Sequence, residues 1–199
     1  PAKFAKWPPF QRLNAIFAVE AAISTLPIKR EDAVEAAYSF PGVERRMSVR
    51  YDDGDFTLIE DYAHHPAELN ALVESLMKIK GKRKLHIVFQ PHRYARLKKY
   101  FDRFVCELRK ADKVTVLPVF SAWRPDDDVD SEKLAREINR AKGRHDFANF
   151  APEAFKLLAC KIVSEGLKNK IIAVAGAGDC DELIREISAD ILRRGEAIT

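Results

Sequence analysis

The feature that most constrains this chain is an alternation. Four short, largely apolar runs, LHIVF (85–89), KVTVL (113–117), DFANF (146–150) and IIAVA (171–175), are each followed by a stretch of helical period. Runs this short suit strands buried on both faces, as in a parallel sheet covered by helices. A chain that repeats strand and helix in this way reads as α/β. Upstream, Met47–Tyr51 and Phe56–Glu60 flank Asp53-Gly54, the dipeptide of a tight hairpin turn. The expected sheet therefore has about six strands, layered and mostly parallel, with an antiparallel hairpin strand. Two helices precede it, RLNAIFAVEAAIST (12–25) and REDAVEAAY (30–38), separated by Pro27. The Pro41-Gly42 break puts a domain boundary near Gly42. Pro66 and Pro152 are expected in the first turn of helices, where a missing N–H costs nothing.

Composition narrows the function classes. Of 199 residues, 47% are hydrophobic, enough for one proper core plus an appendage. The formal net charge of +4 comes from interspersed charges of both signs, which suits anionic small molecules without requiring a nucleic acid. The basic stretch Lys78–Lys84 lacks the interleaved aromatics of a base-stacking platform and reads as a solvated connector. No run approaches the roughly 18 apolar residues of a membrane-spanning helix, and the first residues are not a signal peptide. Three cysteines without CxxC spacing, Cys106, Cys160 and Cys180, point to free thiols in a reducing compartment, hence the cytoplasm. A start at Pro1 rather than Met suggests a piece of a longer protein.

In open α/β sheets ligands gather at the carboxyl ends of the strands, so the segments that follow strands carry the chemistry. Asp61-Tyr62-Ala63-His64-His65-Pro66 leaves a strand and enters a helix, and fits either a capped turn or a site built on a carboxylate and two imidazoles. In Gln90-Pro91-His92-Arg93-Tyr94-Ala95-Arg96 the two arginines, three apart, could present guanidiniums to one carboxylate or phosphate, or decorate a surface helix. Gly176-Ala177-Gly178-Asp179 lacks the third glycine of a dinucleotide fingerprint and reads as a strand-to-helix turn with Asp179 as cap. Asp61, His64, His65 and His92 are residue types that Zn²⁺ accepts, but no spacing fixes their geometry, so no metal site is assigned. Tyr94, Tyr100, Phe101 and Phe104 recur near helical spacing and read as core, Tyr94 less clearly than the others. No nucleophile stands out.

Taken together, FPGVERR, DYAHHPAEL, VFQPHRYARL and GAGD, in this order and at these separations, resemble the C-terminal part of the Mur ligase family. FQPHRY is similar to the branch that joins L-alanine to UDP-N-acetylmuramate. The resemblance covers essentially the whole chain. It implies that residues 1–42 are the helical tail of a central ATPase domain and that residues 43–199 are a Rossmann-like C-terminal domain. It also implies an ATP- and Mg²⁺-dependent amide ligation, with UDP-N-acetylmuramate, L-alanine and ATP as partners. By matching motifs, Asn14 would lie near the adenine, Arg46 would reach the nucleotide phosphates and Asp61 would hold the ribose. Tyr62, His64, His92, Arg93 and Arg96 would surround the incoming amino acid, with His65 and Asp179 as further candidates. No GxxxxGK[ST] occurs in the chain, so the family's phosphate-binding loop is expected in an upstream central domain, preceded by an N-terminal domain for the UDP-sugar, and the chain alone is expected to bind neither ATP nor Mg²⁺ tightly.

Two departures from the family pattern stand out. Phe10-Gln11 replaces a His-Asn pair near the adenine, and Ala122-Trp123-Arg124 replaces Ala-Gly-Glu, which leaves room for a different amino-acid preference. The competing readings are a murein-peptide recycling ligase, which carries a different segment after the same strand, and a free-standing non-catalytic binding module of the same fold.

Overall fold

In the computed structural model the residues described are 4, 7, 9–40, 43–121 and 128–196. Gly42, where the sequence suggests a boundary, and the Ala122-Trp123-Arg124 segment lie outside them, as does the side chain of Phe10. The chain divides into two compact units, Pro1–Glu44 and Arg45–Thr199.

The first unit pairs α1 (Pro9–Thr25) with α2 (Arg30–Ser39). Ala15, Val19 and Ala33 are buried between them, and Glu20 and Arg30 form an ion pair across the joint. Phe4 is buried against Trp7, whose ring stacks on Tyr38. Leu13, Phe17, Leu26, Ile28 and Phe40 remain exposed.

The second unit begins with a hairpin, β1 (Ser48–Asp52) and β2 (Phe56–Asp61), paired antiparallel. Gly54 takes φ +87°, and Asp53 Oδ1 closes the turn by accepting the N–H groups of Asp55 and Phe56. Then follow α3 (Pro66–Ile79), β3 (Lys84–Phe89), α4 (Tyr94–Lys99), α5 (Phe101–Leu108), β4 (Lys113–Val116) and α6 (Ser131–Lys142). The chain closes with β5 (Ala148–Phe150), α7 (Phe155–Ser164), β6 (Lys170–Ala175) and α8 (Cys180–Glu196). The sheet order is β1-β2-β6-β3-β4-β5, parallel throughout except for β1. The expected α/β layering with about six strands is what the chain adopts.

Alternation along the strands divides the core in two. Ile59, Ile87 and Ala173 face α3, α5 and α6, while Leu58, Val88 and Val174 face α7 and α8. This two-sided cover explains why the strands read as continuous apolar runs. Of the four aromatic residues read as core, Phe104 is buried, Tyr100 and Phe101 are partly buried against the core, and Tyr94 is half-buried.

Pro66 opens α3 as expected, but Pro152 does not open α7. Ala151 N–H still donates to Val116, and Ala154 remains extended, so the helix starts three residues beyond the proline. The chain's three cysteines are free. Among the described residues no helix is long and apolar enough to cross a membrane.

Candidate functional site

Because β2, β6, β3 and β4 run parallel and adjacent, their carboxyl ends bring the three strand-following segments to one edge. Backbone bonds extend the ladder there: Gly176 N–H donates to Asp61 O (3.0 Å), Gln90 N–H to Ala175 O (2.8 Å) and Leu117 N–H to Phe89 O (2.9 Å). DYAHHP, GAGD and FQPHRYAR thus become neighbours although far apart in sequence.

At the β2 end, Asp61 is 4% exposed, and its two carboxylate oxygens accept from Met47 N–H and Ala63 N–H, both at 2.8 Å. Burial pushes its pKa up and outweighs these two bonds. The carboxylate therefore anchors the turn that carries Arg45, Arg46 and Met47. Arg45 and Met47 take positive φ in that turn, +58° and +52°. Tyr62 N–H donates to Arg45 O, and the guanidinium carbons of Arg45 and Arg46 lie 5.1 and 5.6 Å from the Tyr62 ring centre. Arg46 is exposed, with Glu68 at 3.9 Å.

The two histidines part company. His65 is the N-cap of α3: its Nδ1 accepts Ala67 N–H, and Glu68 returns the bond by accepting His65 N–H in a capping box. It also packs edge-on against Tyr100. His64 turns toward the sheet edge. Its Nδ1 lies 3.0 Å from Tyr62 O and therefore carries a hydrogen, so that in the neutral imidazole Nε2 is the acceptor. Burial raises the Glu68 pKa, yet the N–H groups of His64 and His65 and the charges of His64 and Arg46 hold it below the usual value.

At the β3 end, the His64 and His92 rings meet at 5.6 Å. Arg96 Nη1 donates to His92 Nδ1 (3.1 Å) and to His92 O (3.2 Å), which makes His92 the opposite tautomer, with Nε2–H as a donor. Burial first, then the charges of Arg96, His64 and Arg93, lower the His92 pKa. Arg93 sits at φ +69°, ψ +126°, a conformation costing an L-residue about 1 kcal/mol or more. Its side chain is exposed, and among the described residues its guanidinium has no partner.

At the β6 end, Asp179 precedes α8, and its Oδ1 accepts from Gln90 Nε2 at 2.7 Å. Gln90 is 3% exposed, and its Oε1 has no hydrogen-bond partner among the described residues.

Tyr62, His64, His92, Arg93 and Arg96 therefore gather in one region of the sheet edge, Arg46 and Asp61 adjoin it through Tyr62, and Asp179 adjoins it through Gln90. Asn14 belongs to the first unit, exposed on α1. No three of the His, Cys, Asp and Glu side chains among the described residues come together as metal ligands.

Sequence reasoning gave no role to Arg45, Glu60, Gln90 or Phe120. Arg45 Nη2 donates to the carbonyls of Gly176 and Gly178, both at 3.1 Å, and its Nε pairs with Glu60 at 2.8 Å. Glu60 is 2% exposed and also takes Arg50. A charged residue inside the otherwise uncharged FTLIE run was the available signal.

Residues 45–178 match the family described as Mur ligase, glutamate ligase domain. The chain is 32% identical over 171 residues to a UDP-N-acetylmuramate–L-alanine ligase of Koribacter versatilis, an alignment covering 85% of this chain and 36% of that protein. Among solved structures it resembles a UDP-N-acetylmuramate–alanine ligase from Thermotoga maritima, with TM-score 0.73, 25% identity, and coverage of 96% of this chain and 39% of that one. A murein peptide ligase from Psychrobacter arcticus shares the fold, with TM-score 0.65 and 17% identity, covering 88% of this chain and 35% of its own. The chain thus spans well under half the length of the curated relatives it matches.

Proposed function

The chain belongs to the Mur ligase family, and from that premise we propose that it is the C-terminal part of an ATP-dependent ligase joining L-alanine to UDP-N-acetylmuramate. The observation that carries this reading is the cationic edge beside the paired imidazoles. Arg93 is held in a costly backbone conformation and its guanidinium has no partner among the described residues, next to an Arg96 already committed to His92. A planar guanidinium without a protein partner is suited to a carboxylate.

In this reading the sugar's carboxylate is phosphorylated by ATP, the alanine amine attacks the acyl carbon, and the tetrahedral intermediate collapses as phosphate leaves. Arg93 pairs the alanine carboxylate, with Arg96 adding charge. His64 Nε2, an acceptor because Nδ1–H is held on Tyr62, faces an amine N–H, and His92 Nε2–H donates toward the developing oxyanion. These groups work by orientation and fixed electrostatics.

Arg46, exposed beside Tyr62, reaches the nucleotide phosphates, and Asp61 uses its remaining lone pairs on the ribose. Asn14 contacts the adenine. Mg²⁺ is implied by the family, but the described acidic side chains do not converge on a cation, so its ligands are assigned to upstream domains and no step here runs through it. A cytoplasmic site of action belongs to the same reading, as the three free thiols suggest.

Arg93→Ala and Arg96→Ala in the protein with its upstream domains test the assignment. Each is expected to cost about 1.5–3 kcal/mol of complex stability, read as a raised KM for L-alanine with the KM for ATP little changed. Lys is expected to rescue poorly. Unchanged alanine KM and kcat in both variants would remove the arginines from the site.

A further inference from the structure

Phe120 lies on the segment after β4, and its ring stacks on that of His92 at 5.7 Å with 13° between planes. Its backbone is pinned from both sides, since Phe120 N–H donates to Pro91 O (2.8 Å) and Phe120 O accepts Arg93 N–H (3.0 Å). The second of these bonds belongs to the same peptide that carries Arg93 at positive φ. On the other flank the Phe120 ring lies over Gly178, where any side chain would collide with that ring and with Gln90 Oε1. One residue therefore touches the FQPHRYAR and GAGD segments at once. Yet it is 39% exposed, more than a ring placed only to fill a core.

The consequence runs through His92. Its Nδ1 receives Arg96 only while the imidazole plane keeps its present orientation. Three things restrain that plane: the Arg96 bond, the stacked Phe120 ring and the His64 ring packed edge-on. With the Phe120 ring gone, rotation about the terminal torsion becomes easier, because such torsions are broad and lack deep staggered wells. Arg96 then loses its fixed partner, while the Arg93 N–H keeps its bond to the backbone oxygen of residue 120.

We infer that Phe120 is a positioning residue for amino-acid capture, its ring holding His92 in its Nε2–H form against Arg96 and its backbone oxygen holding Arg93 in its strained turn. The inference rests on the ligase reading for the identity of the captured group, but its structural half stands without it.

The test has two arms. In the first, ¹⁵N NMR of the imidazoles in this chain is expected to show His92 as a single Nε2–H tautomer, and Phe120→Ala is expected to turn it into a tautomer mixture. Phe120→Tyr, which keeps the ring, is expected to preserve the single form. Gly178→Ala, which pushes the ring away without altering residue 120, is expected to reproduce the mixture. In the second arm, Phe120→Ala in the longer protein is expected to raise the KM for L-alanine about three- to tenfold, the worth of one aromatic pair, with the KM for ATP unchanged. An unchanged His92 tautomer in Phe120→Ala overturns the proposal, as does a uniform loss of kcat with both KM values intact. A tautomer change in a protein that proves unable to ligate alanine supports the positioning role and sinks the ligase reading instead.

Discussion

Arg45 and Arg46 are adjacent and chemically identical, yet the fold gives them opposite surroundings. Arg45 reaches inward to two carbonyls of the Gly176–Gly178 loop and to buried Glu60, whereas Arg46 stays exposed beside Tyr62 and Glu68. Arg45→Met should therefore destabilise the protein by about 2–3 kcal/mol, since hydrogen bonds to a charged group are lost while Glu60 keeps only Arg50. Arg46→Ala should stay within about 0.5 kcal/mol of the parent, as surface changes do. Paired urea titrations check this, and equal midpoints for the two variants would contradict the inward role of Arg45. Nothing in GVERR tells the two arginines apart, because the difference comes from a loop more than 130 residues away. His64 and His65 divide in the same way. The segment suggested either a capped turn or a site: His65 makes the cap, and His64 is the residue proposed for the site. The arginines of FQPHRYAR were legible from their three-residue spacing, but the positive φ of Arg93 and the Phe120 ring behind His92 were not, because both arise where β3 and β4 become neighbours.

At the scale of elements, the strands could be read because burial on both faces leaves largely apolar runs, and the hairpin because Asp-Gly is needed where Gly54 takes positive φ. Pro152 was misread for a related reason. Proline tolerates a helix's first turn, but it also tolerates the extended exit from a strand, and the ladder bond of Ala151 decides between them. One polar feature crosses three strands. His86 Nε2 lies 2.9 Å from Thr115 Oγ1, which itself donates to Asn149 Oδ1 at 3.1 Å, so His86 is the donor to Thr115 and neutral. Burial, with Lys113 and Lys170 nearby, pushes its pKa down to about 3. Above about pH 6.5 both folded and unfolded chains carry a neutral imidazole, and the group adds no pH dependence. As the pH falls below that value the unfolded chain takes up a proton that the folded chain refuses, so stability drops by about 1.4 kcal/mol per pH unit. Between about pH 6.5 and 5 the loss from this group approaches about 2 kcal/mol. His86→Leu should flatten that part of the acid limb in denaturant titrations run across the range. A variant that loses stability with acid as steeply as the parent would show that His86 does not control it.

For the whole molecule, the two units differ in how much they bury. Among its described residues the Pro1–Glu44 unit has few buried side chains and leaves Leu13, Phe17, Leu26, Ile28 and Phe40 in solvent, whereas β6 lies in the middle of the sheet. Backbone amides of α1 and α2 should exchange hydrogen much faster than those of β6, because local opening there exposes little additional apolar surface. Equal protection in both would mean that the units fold as one. Calorimetric titration of this chain with Mg-ATP should be nearly silent, since it holds no phosphate-binding loop sequence, and submicromolar binding would contradict the assignment of nucleotide capture to upstream domains. The most direct measurement of the proposed function is phosphate release by the protein with its upstream domains, in the presence of Mg-ATP, UDP-N-acetylmuramate and one amino acid or peptide at a time. Release that requires both the sugar nucleotide and L-alanine, and that falls when Arg93 or Arg96 is replaced by Ala, is the predicted result. Release that L-alanine does not support but a murein tripeptide does would contradict it, and would make the protein a recycling ligase instead.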